Sequence, residues 1–201
     1  MADEAYDAYM PFETIRKNII EHPSNAWAKQ LGYKPIFTAS QQSKIVIIGQ
    51  APGRITQESG IPWDDPSGKT LREWLAVTDD EFYDERNISL VPMDFYFPGK
   101  GKTGDLPPRK EFADMWHPQL LRAMSNVKLT ILIGQYAQKY YLGKQAKRNL
   151  TENVRAYKEY LPYLPLVHSS PLTFRWRKKN PWFTTDVIPE LQTIVRRILQ
   201  S

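Results

Sequence analysis

The sequence predicts an α/β fold, a three-layer α/β/α sandwich with a central four-stranded parallel sheet. Four short runs of aliphatic and β-branched residues are typical of strands buried on both faces, and they span 44–48, 88–93, 129–133 and 164–167. Segments with apolar residues at helical spacing lie between these runs and after the last one. Because strands and helices alternate, the pattern favours a parallel sheet covered by helices on both faces.

The spacing of apolar residues, together with terminal signals, predicts the main helices. They span 70–77, 110–124, 135–142 and 186–199. Pro118 is expected to break or restart the second helix, since proline removes a helical hydrogen bond. Gly143 follows the third helix as a favourable C-terminal cap. Residues 1–43 are expected to form a helical and looping prefix that packs on the core, so that 1–201 forms a single domain.

Composition excludes several classes of protein. The chain has 201 residues and no cysteine, so disulfides and thiolate-held zinc or iron–sulfur sites are excluded. The longest apolar runs, 45–48 and 130–133, are too short to cross a bilayer, and the acidic N-terminus does not suit a secretory signal. We expect a soluble cytoplasmic protein with no membrane partner. No metal and no cofactor are expected, because His22, His117 and His168 lie far apart with no carboxylate at a ligand spacing.

The charge of the chain favours a polyanionic partner. The formal net charge is +5 and the isoelectric point is about 9.3. The basic residues form two clusters in loop-like sequence, where ligand contacts are usually made. One cluster holds Arg175, Arg177, Lys178 and Lys179, and the other holds Lys100, Lys102, Arg109 and Lys110.

Unusual loops follow three of the four predicted strands. The segment 49–53 follows the first strand and leads to 60–68, 94–101 follows the second strand, and 168–172 follows the fourth. In an open parallel sheet, ligands bind beyond the carboxyl ends of the strands. We therefore expect these loops to converge on one cleft.

A phosphate-binding loop is disfavoured, although Gly-Lys-Thr occurs at 68–70 and at 101–103. The nucleotide-binding loop needs another glycine five positions before the glycine of this triplet. Trp63 and Tyr96 occupy those positions, and both are bulky. Neither stretch links a strand directly to a helix in the required pattern.

Three segments resemble motifs of the uracil-DNA glycosylase superfamily, in the same order. Gly49-Gln50-Ala51-Pro52-Gly53 resembles its first motif, Gly60-Ile61-Pro62-Trp63 the segment that follows it, and His168-Ser169-Ser170-Pro171-Leu172 its final His-Pro-Ser-Pro-Leu motif. The resemblance runs from about Lys44 to about Trp182. It implies the glycosylase fold and a DNA glycosylase that flips out uracil or a related deaminated base and hydrolyses its bond to the sugar. The absence of cysteine implies a branch without an iron–sulfur cluster.

The resemblance also implies roles for single residues in the base pocket. His168 would stabilise the negative charge that builds on the leaving base. Trp63 would stack on the flipped base. The backbone around Gln50 and Ala51 would donate hydrogen bonds to base carbonyls, while Pro52 and Gly53 would allow the base to approach closely.

The same resemblance implies a DNA-binding surface around the final motif. Leu172, on a loop held by Pro171, would enter the gap that the flipped nucleotide leaves in the stack. The basic residues after it would neutralise phosphates. The expected DNA contacts are Ser169, Ser170, Leu172, Arg175, Arg177, Lys178 and Lys179. The expected partner is DNA containing a deaminated base, and the protein is expected to be a monomer.

Two departures from the family pattern leave the chemistry open. Ala51 stands where the best-known members carry an aspartate that orients the attacking water, so Asp64, Asp65 and Asp94 are the candidate catalytic carboxylates. Asp94 could instead read the base edge, since many relatives carry an asparagine in that region, and the lack of a clear counterpart leaves the identity of the base open. Gly53 stands near the position where the best-known members place a bulky tyrosine that excludes thymine. The alternative is a weak or inactive family member that binds damaged or single-stranded DNA.

Overall fold

A four-stranded parallel sheet forms the centre of the computed structural model, which describes the backbone of residues 2–201 and the side chains of 11–201. The strands are β1 (Ile45–Ile48), β2 (Ile88–Leu90), β5 (Leu129–Ile133) and β6 (Tyr163–Leu166), in the order β2-β1-β5-β6. A separate antiparallel hairpin joins β3 (Lys100–Gly101) to β4 (Gly104–Asp105). The predicted second strand is too long by three residues, since β2 ends at Leu90, although the Val91 and Met93 N–H groups still donate to the Ile47 and Gly49 carbonyl oxygens, both at 2.9 Å.

Helices cover both faces of the sheet, which confirms the predicted three-layer α/β/α sandwich. In chain order the helices are α1 (Ala2–Glu21), α2 (Ala26–Gln30), α3 (Arg54–Ser59), α4 (Pro66–Leu75), α5 (Asp79–Tyr83), α6 (Phe112–Ala123), α7 (Gln135–Leu142), α8 (Leu150–Arg155), α9 (Phe174–Lys179) and α10 (Ile188–Gln200). Val46 and Ile48 of β1 pack with α1, α2, α6 and α7. Ile45 and Ile47 face the opposite way, towards α4, α5, α8 and α10. No helix in the described part of the chain is long and apolar enough to span a membrane.

The part of the N-terminal prefix whose side chains the structure describes, residues 11–43, packs on the sheet and on α6. Phe12, Ile15 and Ile19 of α1 are buried in the same cluster as Phe112 and Trp116 of α6. The side chains of residues 2–10 lie outside the described part of the chain. The described prefix therefore forms part of one of the two helical layers.

The prediction that Pro118 breaks the second helix is wrong, since α6 runs through it from Phe112 to Ala123. A proline inside a helix leaves the carbonyl four residues earlier, here that of Asp114, without its helical partner. Pro118 and Asp114 both lie on the exposed face of α6. Water can therefore hydrate the unpaired carbonyl, and the helix continues.

Buried His117 links α6 to the segment after β2 and to α7. Its Nε2 lies 2.9 Å from the carbonyl oxygen of Pro92, which can only accept, and its Nδ1 lies 2.6 Å from the hydroxyl of Tyr141. The ring therefore donates from Nε2 and accepts at Nδ1, as a neutral imidazole does. Burial lowers the pKa of His117 to about 4. The fold thus requires the neutral form.

We predict that the protein loses stability as the pH falls from about 6.5 to about 4, because the unfolded chain binds a proton at His117 that the folded chain resists. A shift from 6.5 to about 4 corresponds to about 3 kcal/mol of unfolding free energy, fully present above pH 6.5. Denaturant titrations at several pH values measure it. The variant His117→Gln should show a flatter dependence over this range, and an unchanged slope would contradict the assignment.

Candidate functional site

The loops at the carboxyl end of the sheet converge, as expected from the topology. The carbonyl oxygens of Gly49 and Gln50 accept hydrogen bonds from the N–H groups of Met93 and Asp94, at 2.9 and 3.2 Å, so the loop after β1 is tied to the loop after β2. The indole of Trp63 lies over Gly49, where an added Cβ would be 3.1 Å from the ring. The rings of Trp63 and His168 have centroids 5.6 Å apart and planes tilted by 30°. These contacts join the three segments into one candidate site.

The residues of the first loop line one side of this site. Gln50, Ala51 and Gly53 are half-buried and Pro52 is buried. Gly53 is the N-cap residue of α3. The loop is therefore anchored by a strand at one end and by a helix at the other.

The backbone around Trp63 is fixed by hydrogen bonds from other residues and by close packing against Gly68. Its φ of 60° is in the left-handed region, which is uncommon for a residue with a side chain. The carbonyl oxygen of Trp63 accepts a hydrogen bond from Arg72 at 3.1 Å, and that of Pro62 accepts one from the Tyr83 hydroxyl at 3.0 Å. The Trp63 carbonyl also packs against Gly68, where an added Cβ would lie only 1.7 Å from the oxygen. Glycine at 68 is therefore needed for this approach.

His168 is arranged as a hydrogen-bond donor. Its Nδ1 accepts a hydrogen bond from the backbone N–H of Ser170 at 3.0 Å, so the proton of the neutral ring is on Nε2. Burial lowers the pKa of His168 below its ordinary value, and the Asp65 carboxylate opposes this shift. At neutral pH the ring is therefore neutral and carries an Nε2–H donor.

Hydrogen bonds fix the segment that carries His168. The Ser169 hydroxyl donates to the carbonyl oxygen of Ser67 in α4, at 2.8 Å. The Thr173 hydroxyl lies 2.9 Å from the carbonyl oxygen of His168 and 2.7 Å from that of Ser170. Ser169 was expected to contact DNA, yet it is only 1% exposed. Its position makes it a link to α4 rather than a surface contact.

Leu172 protrudes from this fixed segment. It is 92% exposed, in the short 3-10 turn Pro171–Thr173. Its backbone N–H donates to the Ser170 hydroxyl at 3.2 Å, which caps the turn. A large apolar side chain this exposed, on a capped turn, is a candidate contact for a partner.

Three of the four cations expected to bind phosphate face solvent. Arg175, Lys178 and Lys179 are exposed on α9. Arg177 instead folds against Trp74, with its guanidinium 5.8 Å from the ring centroid. Its Nε is buried and has no hydrogen-bond partner among the described residues. The solvent-facing positive charge of this cluster therefore comes from the other three cations.

Asp94 holds the loops together, in contrast to the catalytic or base-reading role expected from sequence. Its side chain is fully buried, and its oxygens accept hydrogen bonds from Nε and Nη2 of Arg109 at 2.7 and 2.8 Å and from the Tyr96 N–H at 3.1 Å. Arg109 also donates to Asn25 at 2.7 Å. Both carboxylate oxygens are occupied, so Asp94 is poorly placed to bind water or a base. Arg109, expected in a ligand-binding cluster, is its structural partner.

The other two candidate carboxylates differ in what they face. Asp65 accepts a hydrogen bond from the Gly68 N–H at 2.7 Å, which caps α4, and its charge acts on His168. Both residues are exposed, and the charge of Asp64 acts on Tyr83. Of the three candidate carboxylates, Asp65 is therefore the one whose charge raises the pKa of His168.

The β3–β4 hairpin brings Asp105 to the first loop, a feature that the sequence analysis missed. A Cβ added to Gly53 would lie 3.8 Å from a carboxylate oxygen of Asp105, whose other oxygen pairs with Lys100 at 3.0 Å. Glycines at 99, 101 and 104 were the available signal, since glycine favours tight turns. The hairpin thus borders the site beside Gly53.

We predict that Gly68→Ala destabilises the fold, because its Cβ would overlap the Trp63 carbonyl. Overpacking of this kind typically costs about 1–3 kcal/mol, and backbone must move to relieve it. Thermal unfolding measures the loss. Glu73→Ala is the matched control, since Glu73 is an exposed residue of the same helix. Equal melting temperatures for the two variants would contradict the assignment.

Comparison with known protein families agrees with the motifs and with the fold. A family model described as the uracil DNA glycosylase superfamily matches residues 35–192. The match covers the four strands of the central sheet, the loop after β1, Trp63 and the His168 segment. It confirms the resemblance carried by the three motifs. The chain belongs to the uracil-DNA glycosylase superfamily.

Proposed function

We propose that the protein is a monofunctional DNA glycosylase that flips uracil or a related deaminated base out of DNA and hydrolyses its bond to the sugar, leaving an abasic site. Membership of the superfamily supports the class of reaction. The observation that carries the proposal is the Nε2–H donor of His168, fixed beside Trp63 and a few residues before the protruding Leu172.

His168 assists departure of the base. As the glycosidic bond lengthens, its electron pair moves onto the base, and negative charge develops on a base carbonyl oxygen. The Nε2–H of neutral His168 donates a hydrogen bond to that oxygen. A fixed donor of this kind in a dry site is commonly worth about 3 kcal/mol of barrier, on the order of a hundredfold in rate.

Trp63 and the outer surface would hold the DNA. The indole of Trp63 offers a face on which a flipped base stacks, and such stacking tolerates any base. Leu172 enters the gap in the duplex. Arg175, Lys178 and Lys179 then lie where they can neutralise phosphates beside the lesion.

Asp65 is our candidate for orienting the attacking water. The water oxygen bonds to the sugar carbon as the base leaves with the electron pair of the glycosidic bond, and the water gives up a proton to the Asp65 carboxylate. One oxygen of Asp65 caps α4, and its charge reaches His168. Asp94 is left out of this role, because Arg109 and the Tyr96 N–H occupy its oxygens.

The first test is base release from oligonucleotides that contain uracil, hypoxanthine or xanthine, followed by alkaline cleavage at abasic sites. We expect release of at least one base, with strand scission only after alkali. His168→Ala should lower the single-turnover rate about a hundredfold. His22→Ala is the matched control and should keep full activity. Absence of scission above the His168→Ala level on every lesion would refute the glycosylase.

A second candidate is a family member that binds damaged or single-stranded DNA without cleaving it. Ala51 in the first motif and the paired state of Asp94 favour this candidate, because both reduce the carboxylates available for water. Tight, salt-sensitive binding to a lesion with no base release at high enzyme concentration would establish it in place of the glycosylase.

The second test concerns the water. We predict that Asp65→Asn lowers the single-turnover rate about a hundredfold, the lower range for a positioned base. Asparagine can still cap α4, so the melting temperature should remain close to that of the wild type. Glu73→Gln serves as an exposed control in the same helix. A larger loss for Asp64→Asn than for Asp65→Asn would assign the role to Asp64 instead.

A further inference from the structure

A second large apolar side chain lies beside Leu172 and has no role in the proposed reaction. Phe174, the first residue of α9, is 62% exposed. A partner that removes an aromatic ring of this size from water gains free energy from its burial. The neighbours of Phe174 in the chain are the exposed cations of α9, so the partner is expected to be an anion with apolar faces.

The backbone directs Leu172 and Phe174 to different sides of the same protrusion. Thr173 stands between them, and its hydroxyl turns back to the carbonyl oxygens of His168 and Ser170. Successive side chains on helical backbone are rotated by about 100–120°. With Thr173 pointing inward, its two neighbours diverge over the outer half of the turn, so the two side chains cannot occupy one gap.

Nucleic acid fits both the charge and the shape of this surface. Arg175, Lys178 and Lys179 are exposed within the next turn and a half of α9. Bases provide flat apolar faces on which aromatic side chains stack, and phosphates provide the anion. A flipped nucleotide leaves two features in a duplex, a gap in one strand and an unpaired base in the other.

We propose that Phe174 stacks on the unpaired base opposite the flipped nucleotide, while Leu172 fills the gap. The inference rests on the proposed function in one respect, since it assumes that the protein opens a duplex at a lesion. The two side chains then stabilise both strands of the opened duplex. Phe174 thereby makes duplex DNA a better ligand than it would be with Leu172 alone.

The experiment measures equilibrium binding to a duplex with a tetrahydrofuran abasic-site analogue, which no glycosylase can cleave. Phe174→Ala should weaken binding about tenfold or more, as stacking contacts to single bases typically do on alanine substitution. A second duplex carries the analogue in both strands, so that the opposite base is missing. With that duplex, Phe174→Ala and the wild type should bind equally well.

Two further variants separate stacking from other causes. Phe174→Trp should restore binding to the first duplex, because it keeps an aromatic face. Leu31→Ala is the matched control and should bind as the wild type does. Leu31 is 61% exposed and follows α2, near the β2 edge of the sheet, whereas Phe174 follows β6 at the opposite edge.

The outcomes distinguish this inference from the proposed function. Equal weakening on both duplexes, or no weakening on either, would overturn the stacking on the opposite base. So would wild-type protein that binds the abasic duplex no better than undamaged DNA. A loss specific to the duplex with an opposite base supports the inference even if no lesion is cleaved, because binding to the analogue requires no chemistry.

Discussion

The first turn of α4 fixes both Trp63 and the segment that carries His168, which lie on two sides of the candidate site. The Trp63 carbonyl oxygen packs so close to Gly68 that any side chain at that position would overlap it. The Gly68 N–H donates a hydrogen bond to the Asp65 carboxylate. Ser67 offers its carbonyl oxygen to the hydroxyl of Ser169, the residue after His168. Trp63 and His168 come from segments about a hundred residues apart, yet both are fixed by neighbouring atoms of one helical turn. The 5.6 Å separation of their rings depends on that turn.

The outer surface depends on the same anchor. Leu172 and Phe174 follow His168 within one short turn, and Thr173 ties that turn to the His168 and Ser170 carbonyls. The backbone that carries both side chains is therefore fixed in advance, which would lower the entropic cost of binding a partner. Ser169 links this backbone to α4. In the proposed glycosylase, placing Leu172 and His168 on one segment would couple insertion of Leu172 to placement of the base.

The sheet and its helical layers could be predicted from the sequence because strands buried on both faces must be continuously apolar. The convergence of loops then followed from the geometry of parallel strands. The helix through Pro118 could not be predicted, because its tolerance depends on which face of α6 meets water. The β3–β4 hairpin was missed because its strands of two residues are too short to show alternation.

The choice among carboxylates shows where sequence reasoning ends. The sequence does not show whether a carboxylate that follows a strand is free or paired. Only the fold brings Arg109 to Asp94. The same limit applies to the cations, since Arg177 looks like its neighbours but packs on Trp74. Phe174 was overlooked for the opposite reason, because aromatic residues are usually buried.

In the proposed reaction, the charge near His168 would have to meet two opposing requirements. A neutral imidazole is needed as donor, and burial lowers the pKa of His168 to provide it, whereas the Asp65 carboxylate raises that pKa. A carboxylate held too close would raise the pKa of His168 and favour the charged ring, and it would repel the negative charge that develops on the leaving base. One placed too far away could not bind the attacking water. The hydrogen bond from the Gly68 N–H fixes one oxygen of Asp65 at the N-terminus of α4, where the helix dipole favours a negative charge, and it leaves the other oxygen as the one that could face a water.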